Sequence, residues 1–267
     1  MDSRLLAKLE REIAAEDKRK PITRSSVKKA SPIRKQSSAK VQNMYELMPK
    51  ELLVSAVNPN FNLHRLKLPF RMCIVAPSGS GKTNFLANLL ALFSSGSGTF
   101  HHITVVTRNK DEPIYKWLES LNDRIKVVEG LENTPLLDKM DKDFNHLVCF
   151  DDLVLTKDQS RIANYYIRAR KLNCSVCYLS QSYFGIPKIV RQNCTYLVLL
   201  KLSGARELNL ILSEGGLGID KNELLRIYKN ATSEKFSPLL IDYEADPQER
   251  YRKGFTEFIS VTEDKEA

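Results

Sequence analysis

No stretch of this sequence approaches the roughly 18 uninterrupted apolar residues that a membrane helix requires. The longest oily run, FLANLLALF at 85–93, reads as a helix packed in a core, and no membrane span is expected. An apolar signal core is also missing, because the N-terminus is charged from Asp2 onward; this argues against secretion. Cysteine is scarce and odd in number, with five residues at positions 73, 149, 174, 177 and 194. Four of them lie in β-like apolar runs, which suits reduced intracellular thiols better than a disulfide framework. Cys174 and Cys177 form a C-x-x-C with no second pair to complete a zinc site, so the core reading is preferred. No internal repeat is evident.

Acidic residues are absent from 18–40, KRKPITRSSVKKASPIRKQSSAK, which holds nine basic ones. Of the formal net charge of +9, residues 1–40 carry a surplus of seven, twelve Lys or Arg against five Asp or Glu. With little to bury, residues 18–42 are expected to form a disordered basic linker. Such an arm can contact nucleic acid, direct nuclear import through Lys18–Lys20 and Lys28–Lys29, or serve as a solvated linker. Ahead of it, within 1–17, Leu5, Leu6, Leu9 and Ile13 recur at the spacing of a short amphipathic helix.

From about residue 43 to 267, apolar strands alternate with helical segments, the signature of an α/β domain. Strands are expected at 70–76, 102–108, 125–130, 146–152, 174–181 and 195–202, and a helix at 81–93. Runs that are apolar throughout point to strands covered on both faces, as in a parallel sheet. EGGLG at 214–218 reads as a turn between helices.

The segment APSGSGKTN, Ala76-Pro77-Ser78-Gly79-Ser80-Gly81-Lys82-Thr83-Asn84, is a phosphate-binding loop whose first glycine is replaced by alanine. Strand, glycine-rich turn and helix follow in the required order. The turn's N–H groups and the helix's positive end would face the phosphates of ATP. Lys82 would bridge the β- and γ-phosphates and the Thr83 hydroxyl would ligate Mg²⁺. The first position mainly closes the strand into the turn, and alanine is small enough for that.

A second strand ends in Asp151-Asp152. Asp151 would hold the Mg²⁺ shell and Asp152 would polarise the attacking water, a task a glutamate often performs. The competing reading is that the pair caps the next helix. A third strand, CSVCYLSQ, ends in Gln181, placed to sense the γ-phosphate or to orient water.

Taken together, LPFRMCIVAPSGSGKTNFL (68–86), HLVCFDDLV (146–154) and ARKLNCSVCYLSQSYFGIPKIVRQNCTYLVL (169–199) resemble the poxvirus-type genome-packaging ATPases, within the FtsK–HerA superfamily. The third stretch is the narrower signal, since a phosphate loop occurs in many proteins. The resemblance implies a RecA-like P-loop NTPase with a mainly parallel sheet flanked by helices. It also implies a homo-oligomeric ring, pentameric or hexameric, that hydrolyses ATP and drives double-stranded DNA into a preformed capsid through capsid or portal-vertex proteins. Such a motor would act inside the host cell, at virion assembly sites in cytoplasm or nucleus, or travel with the virion. An arginine reaching a neighbour's γ-phosphate is implied too, and Arg170 and Arg191 match the family's arginines.

Three other readings remain open on the residues. A small-molecule kinase would need an acceptor pocket and a basic lid. An ATP-switched adaptor for transcription or assembly would bind ATP with negligible turnover. A cellular or plasmid DNA pump of the same superfamily would usually carry larger accessory domains. Beyond Gln181, Tyr183, Phe184 and Lys188 would face either DNA or the next helix, with packing favoured.

Overall fold

In the computed structural model, residues 43–47, 56–153, 156–202, 204–215 and 217–262 are described. The chain divides into two units, Met1–Met48 and Pro49–Ala267. Of the first, only residues 43–47 are described, and Met44–Leu47 form one 3-10 turn. The expected helix within 1–17 and linker over 18–42 lie outside the described residues.

The second unit is built on a sheet. Its strands are β1 (Arg71–Val75), β2 (His102–Thr107), β3 (Ile125–Glu129), β4 (His146–Asp151), β5 (Cys174–Ser180), β6 (Tyr196–Leu199), β7 (Leu239–Asp242), β8 (Tyr251–Lys253) and β9 (Glu257–Phe258). They lie in the order β3-β2-β4-β5-β1-β6-β7-β8-β9. The first six are parallel to one another, and β7, β8 and β9 are added antiparallel at one edge. All six strands expected from the sequence are present. The three antiparallel ones were not anticipated, because they are short and two of them are charged: YRK and EF give neither a period nor an oily run.

Helices cover both faces. They are α1 (Phe61–His64), α2 (Lys82–Phe93), α3 (Pro113–Leu121), α4 (Ser160–Arg168), α5 (Lys188–Gln192), α6 (Ala205–Gly215) and α7 (Lys221–Ala231). Successive residues of a strand point to opposite faces, and β1 shows the consequence. Met72 and Ile74 join a core with Phe85, Leu86, Leu89 and Leu90 of α2. Cys73 and Val75 join the other core, with Ile162, Tyr165 and Tyr166 of α4. Burial on both faces is why β1 reads as a continuous apolar run rather than an alternating one.

The same alternation answers the C-x-x-C question. Cys174 lies in the α4-side core and Cys177 in the α2-side core, so their thiols leave β5 in opposite directions. Both are fully buried, and burial pushes each thiol's pKa up.

At the antiparallel edge, Arg252 of β8 is buried and donates to Asp242 of β7 at 2.8 Å. A buried charge is tolerated where it is paired, and this pair ties β8 to β7, which is itself joined to β6 of the parallel sheet by an antiparallel ladder. Helix α7 begins with a capping turn in which the Asp220 carboxylate accepts from the Glu223 N–H at 2.9 Å. Of the turn expected at 214–218, Glu214 and Gly215 instead close α6, and Leu217 and Gly218 (φ 69°) lie between α6 and α7.

Candidate active site

Parallel strands deliver their C-terminal ends to one edge of the sheet, and in open α/β sheets that edge is where ligands bind. Here β4, β5 and β1 are neighbours, so residues 76–84, 151–152 and 181 converge there from three parts of the sequence.

The loop leaves β1 without a break. Ala76 is fully buried, and its N–H donates to the Ser180 carbonyl of β5 at 3.1 Å, which extends the ladder by one residue. A small side chain suffices at that position. Pro77 and Ser80 close the turn through the Ser80 N–H to Pro77 carbonyl bond at 3.3 Å. Ser78 and Gly79 are exposed at its tip. Gly79 (φ 73°) and Gly81 (φ 94°) occupy the left-handed region that glycine enters freely. Gly81 carries a second constraint, since a Cβ there would lie 2.5 Å from Cδ1 of Phe236.

Helix α2 starts at Lys82 with no side-chain cap. Its first-turn N–H groups therefore have no intrahelical partner and form a positive end at the loop. Asn84, in that turn, is exposed, and its carbonyl accepts from the Asn88 amide at 2.8 Å. The Lys82 ammonium folds over the loop and donates to the carbonyls of Ala76 (2.7 Å) and Pro77 (3.1 Å). Burial lowers its pKa, while Asp151 and Asp152 pull in the opposite direction.

The two aspartates sit in contrasting settings. Asp151 is 3% exposed and accepts from the Thr83 hydroxyl at 3.4 Å and from the Tyr115 hydroxyl. Burial raises its pKa, with the Tyr115 hydrogen bond and the Lys82 charge opposing. Asp152 is exposed and lies at φ 53°. A non-glycine residue held in the left-handed region is uncommon, and such strain concentrates at functional sites. In that conformation its carboxylate accepts from Gln181 Nε2 at 3.2 Å. Neither aspartate caps a helix: α4 begins at Ser160, after Gln159.

Behind Gln181 the chain is fixed by groups that the sequence did not advertise. The Ser180 hydroxyl donates to the Ser182 carbonyl at 2.6 Å. Glu207 of α6 accepts from the Ser182 hydroxyl and the Tyr183 N–H, each at 2.6 Å. Tyr183 is 4% exposed and packs inward, as favoured. Phe184 is 44% exposed beneath the Arg206 guanidinium, 4.9 Å from its centroid, and Lys188 is exposed as well.

The two sequence-predicted arginines do not join this group. Arg191 is bound to Glu214 by two hydrogen bonds (2.7 and 2.9 Å), donates to the Ile186 carbonyl at 2.5 Å, and lies 5.2 Å from the Tyr183 ring centroid. Hydrogen bonding to Glu214 raises its pKa. Arg170 is exposed in the 3-10 turn Ala169–Leu172, just before β5, and forms no ion pair among the described residues. It is close enough to Arg71, at the start of β1, that burial first and Arg170's charge second lower the Arg71 pKa.

Tyr115, Glu207 and Phe236 are therefore the residues that motif reading missed. Tyr115 shares its helix with buried Leu118 and reads as core. Glu207 reads as an acidic residue in a helix's first turn. Phe236 offered a weak signal, a lone aromatic in the polar stretch TSEKFSP.

The Poxvirus A32 protein family matches residues 59–243. DNA packaging protein OPG160 of vaccinia virus (strain Copenhagen) is 29% identical over 195 residues, covering 66% of this chain and 70% of that protein. The variola virus protein of the same name is 31% identical over 164 residues, covering 55% and 59%. Among solved structures, the genome packaging NTPase B204 of Sulfolobus turreted icosahedral virus 2 in complex with AMP aligns with a TM-score of 0.51 at 12% identity. That alignment covers 72% of this chain and 99% of B204. The same protein in complex with sulfate gives a TM-score of 0.52 at 11% identity, over 67% and 94%. The likeness to B204 is one of fold.

Proposed function

This chain belongs to the Poxvirus A32 protein family, and from that premise we infer that it is an ATP-hydrolysing motor that packages viral or virus-like double-stranded DNA into a capsid. One observation carries the enzymatic half of that reading. Three parallel strands bring Lys82, the Thr83–Asp151 pair (3.4 Å) and the Gln181–Asp152 pair (3.2 Å) around one phosphate loop.

Residues 76–84 cradle the triphosphate through backbone N–H groups, and Lys82 turns from the loop carbonyls to the β- and γ-phosphates. Thr83 and Asp151 fit Mg²⁺, because a hydroxyl and a carboxylate 3.4 Å apart are hard oxygen donors of the kind it takes. When bound, the ion neutralises charge on the phosphates. Asp152 draws the proton from the attacking water, and Gln181 holds both the water and the Asp152 carboxylate in line. An ordered acid–amide pair of this kind favours hydrolysis over transfer to a small-molecule acceptor, and over a silent switch.

Residues 43–267 carry the motor. It works as a closed homo-oligomeric ring of five or six subunits, with each site completed by a neighbour's arginine. Of the two arginines, Arg170 suits that role, being exposed and without an ion pair among the described residues, whereas Arg191 is committed to Glu214 within its own chain. DNA is held through its phosphates, so binding falls steeply with salt. Capsid or portal-vertex proteins receive the DNA at the virion assembly site.

Steady-state ATP hydrolysis, with and without double-stranded DNA, tests the reading. DNA-stimulated turnover that disappears in both Lys82→Ala and Asp152→Asn supports it. ATP binding without turnover, DNA present, favours the adaptor reading instead.

A further inference from the structure

The acidic residues fix which way a nucleotide must lie. Asp151, Asp152 and Gln181 come from β4 and β5, on one side of β1. A triphosphate whose terminal phosphate meets them sends its nucleoside to the opposite side of the loop, toward β6 and β7.

There the surface holds a cavity of about 250 Å³. Gly79 and Ser80 of the phosphate loop form one wall; Lys201, Thr232, Phe236 and Ser237 are among the others. Phe236 stands out within it. The residue is 46% exposed although aromatic, and its backbone is held at φ 66°, where a bulky side chain is an outlier. Its ring presses so closely on Gly81 that no Cβ would fit between them.

The turn bearing Phe236 is fastened to the sheet. Glu234 pairs with Lys253 of β8 at 2.6 Å, and the Gly254 N–H donates to the Pro238 carbonyl at 3.0 Å. Lys235 places its ammonium over the Phe236 ring, 4.9 Å from its centroid, so one face of the ring carries a positive charge. A strained, half-exposed aromatic on a pinned turn, against the phosphate loop, has the properties of a stacking platform.

We propose that this cavity receives the nucleoside of the bound triphosphate, with the base stacked on Phe236. The inference rests on the ATPase reading above and extends it to the base. Stacking tolerates any base but rewards a larger π-face, so purine triphosphates bind more tightly than pyrimidine ones. It also gives the antiparallel edge a task, since β7 and β8 anchor the turn that carries the platform.

Calorimetric titration of the full chain with ATP and with inorganic tripolyphosphate tests the proposal. Phe236→Ala is expected to weaken ATP binding roughly 5- to 100-fold while leaving tripolyphosphate binding unchanged. Phe236→Leu, which keeps an apolar contact with Gly81 but lacks the ring, should lose ATP affinity as Phe236→Ala does. Retention of ATP affinity in either variant overturns the platform, and so does an equal loss for ATP and tripolyphosphate. Wild-type protein that binds neither ligand overturns the ATPase reading itself, a result distinct from those two.

Discussion

On one side of the phosphate loop, β4 and β5 present Asp151, Asp152 and Gln181; on the other, β6 and the turn before β7 present Lys201, Phe236 and Ser237. The first flank is charged, hydrogen-bonded and built on parallel strands. The second is aromatic, half-open and held by antiparallel strands at the sheet's edge. Chemistry that depends on placing a proton needs the first kind of setting, where backbone strain at Asp152 and a fixed amide at Gln181 define one geometry. Retention of a ligand needs only shape and surface, which a pinned aromatic supplies.

The contrast predicts different kinetic signatures for the two flanks. Asp152→Asn should lower kcat roughly 10²- to 10⁴-fold with little change in KM, as expected for loss of a general base. Phe236→Ala should instead raise KM, by roughly 5- to 100-fold, and spare most of kcat. Tyr115→Phe sharpens the picture on the acidic flank. It removes a donor from Asp151 without touching nucleotide, so half-maximal turnover should need about 10-fold more Mg²⁺. A Mg²⁺ titration of the turnover rate reads this directly.

Smaller effects separate scaffold from site. Arg191→Ala removes one partner of a partly exposed, doubly hydrogen-bonded pair and should lower stability by about 1 kcal/mol in denaturant unfolding. Arg170→Ala, at an exposed position, should unfold within about 0.5 kcal/mol of wild type, yet lose DNA-stimulated turnover if Arg170 is the arginine supplied to a neighbour in the proposed ring. His64, in α1, supplies the last prediction. Burial first, and the Arg252 charge second, lower its pKa from 6.5 to about 4. The unfolded chain therefore takes up the proton before the folded one does, and stability declines as pH falls from 6.5 toward 4. His64→Gln should flatten that decline, measured as melting temperature against pH.

The same division explains what could be read from the residues alone. Parallel strands buried on both faces are continuous oily runs, so β1, β4, β5 and β6 were visible, with β2 and the alternating edge strand β3 beside them, and the loop, the Asp-Asp pair and Gln181 followed from their places at strand ends. The edge strands had no such signature. LLID is four residues long, and YRK and EF owe their places to the Arg252–Asp242 pair and to their neighbours. Tyr115 and Glu207 act on the site by contacts across long sequence separations, 36 residues in the case of Tyr115 and Asp151. Such partners are set by tertiary packing, and helical periodicity cannot separate them from ordinary core or surface positions. The fate of the two arginines was equally hidden, because Glu214, which engages Arg191, lies two elements away.

The division of labour across the loop is tested most directly by measuring kcat and KM for ATP, with saturating Mg²⁺ and double-stranded DNA, in Asp152→Asn, Phe236→Ala and the double variant. Turnover lost in the first, affinity lost in the second, and both losses combined in the third are the predicted results. Wild-type turnover in Asp152→Asn would contradict the account, as would a Phe236→Ala protein that loses kcat at unchanged KM.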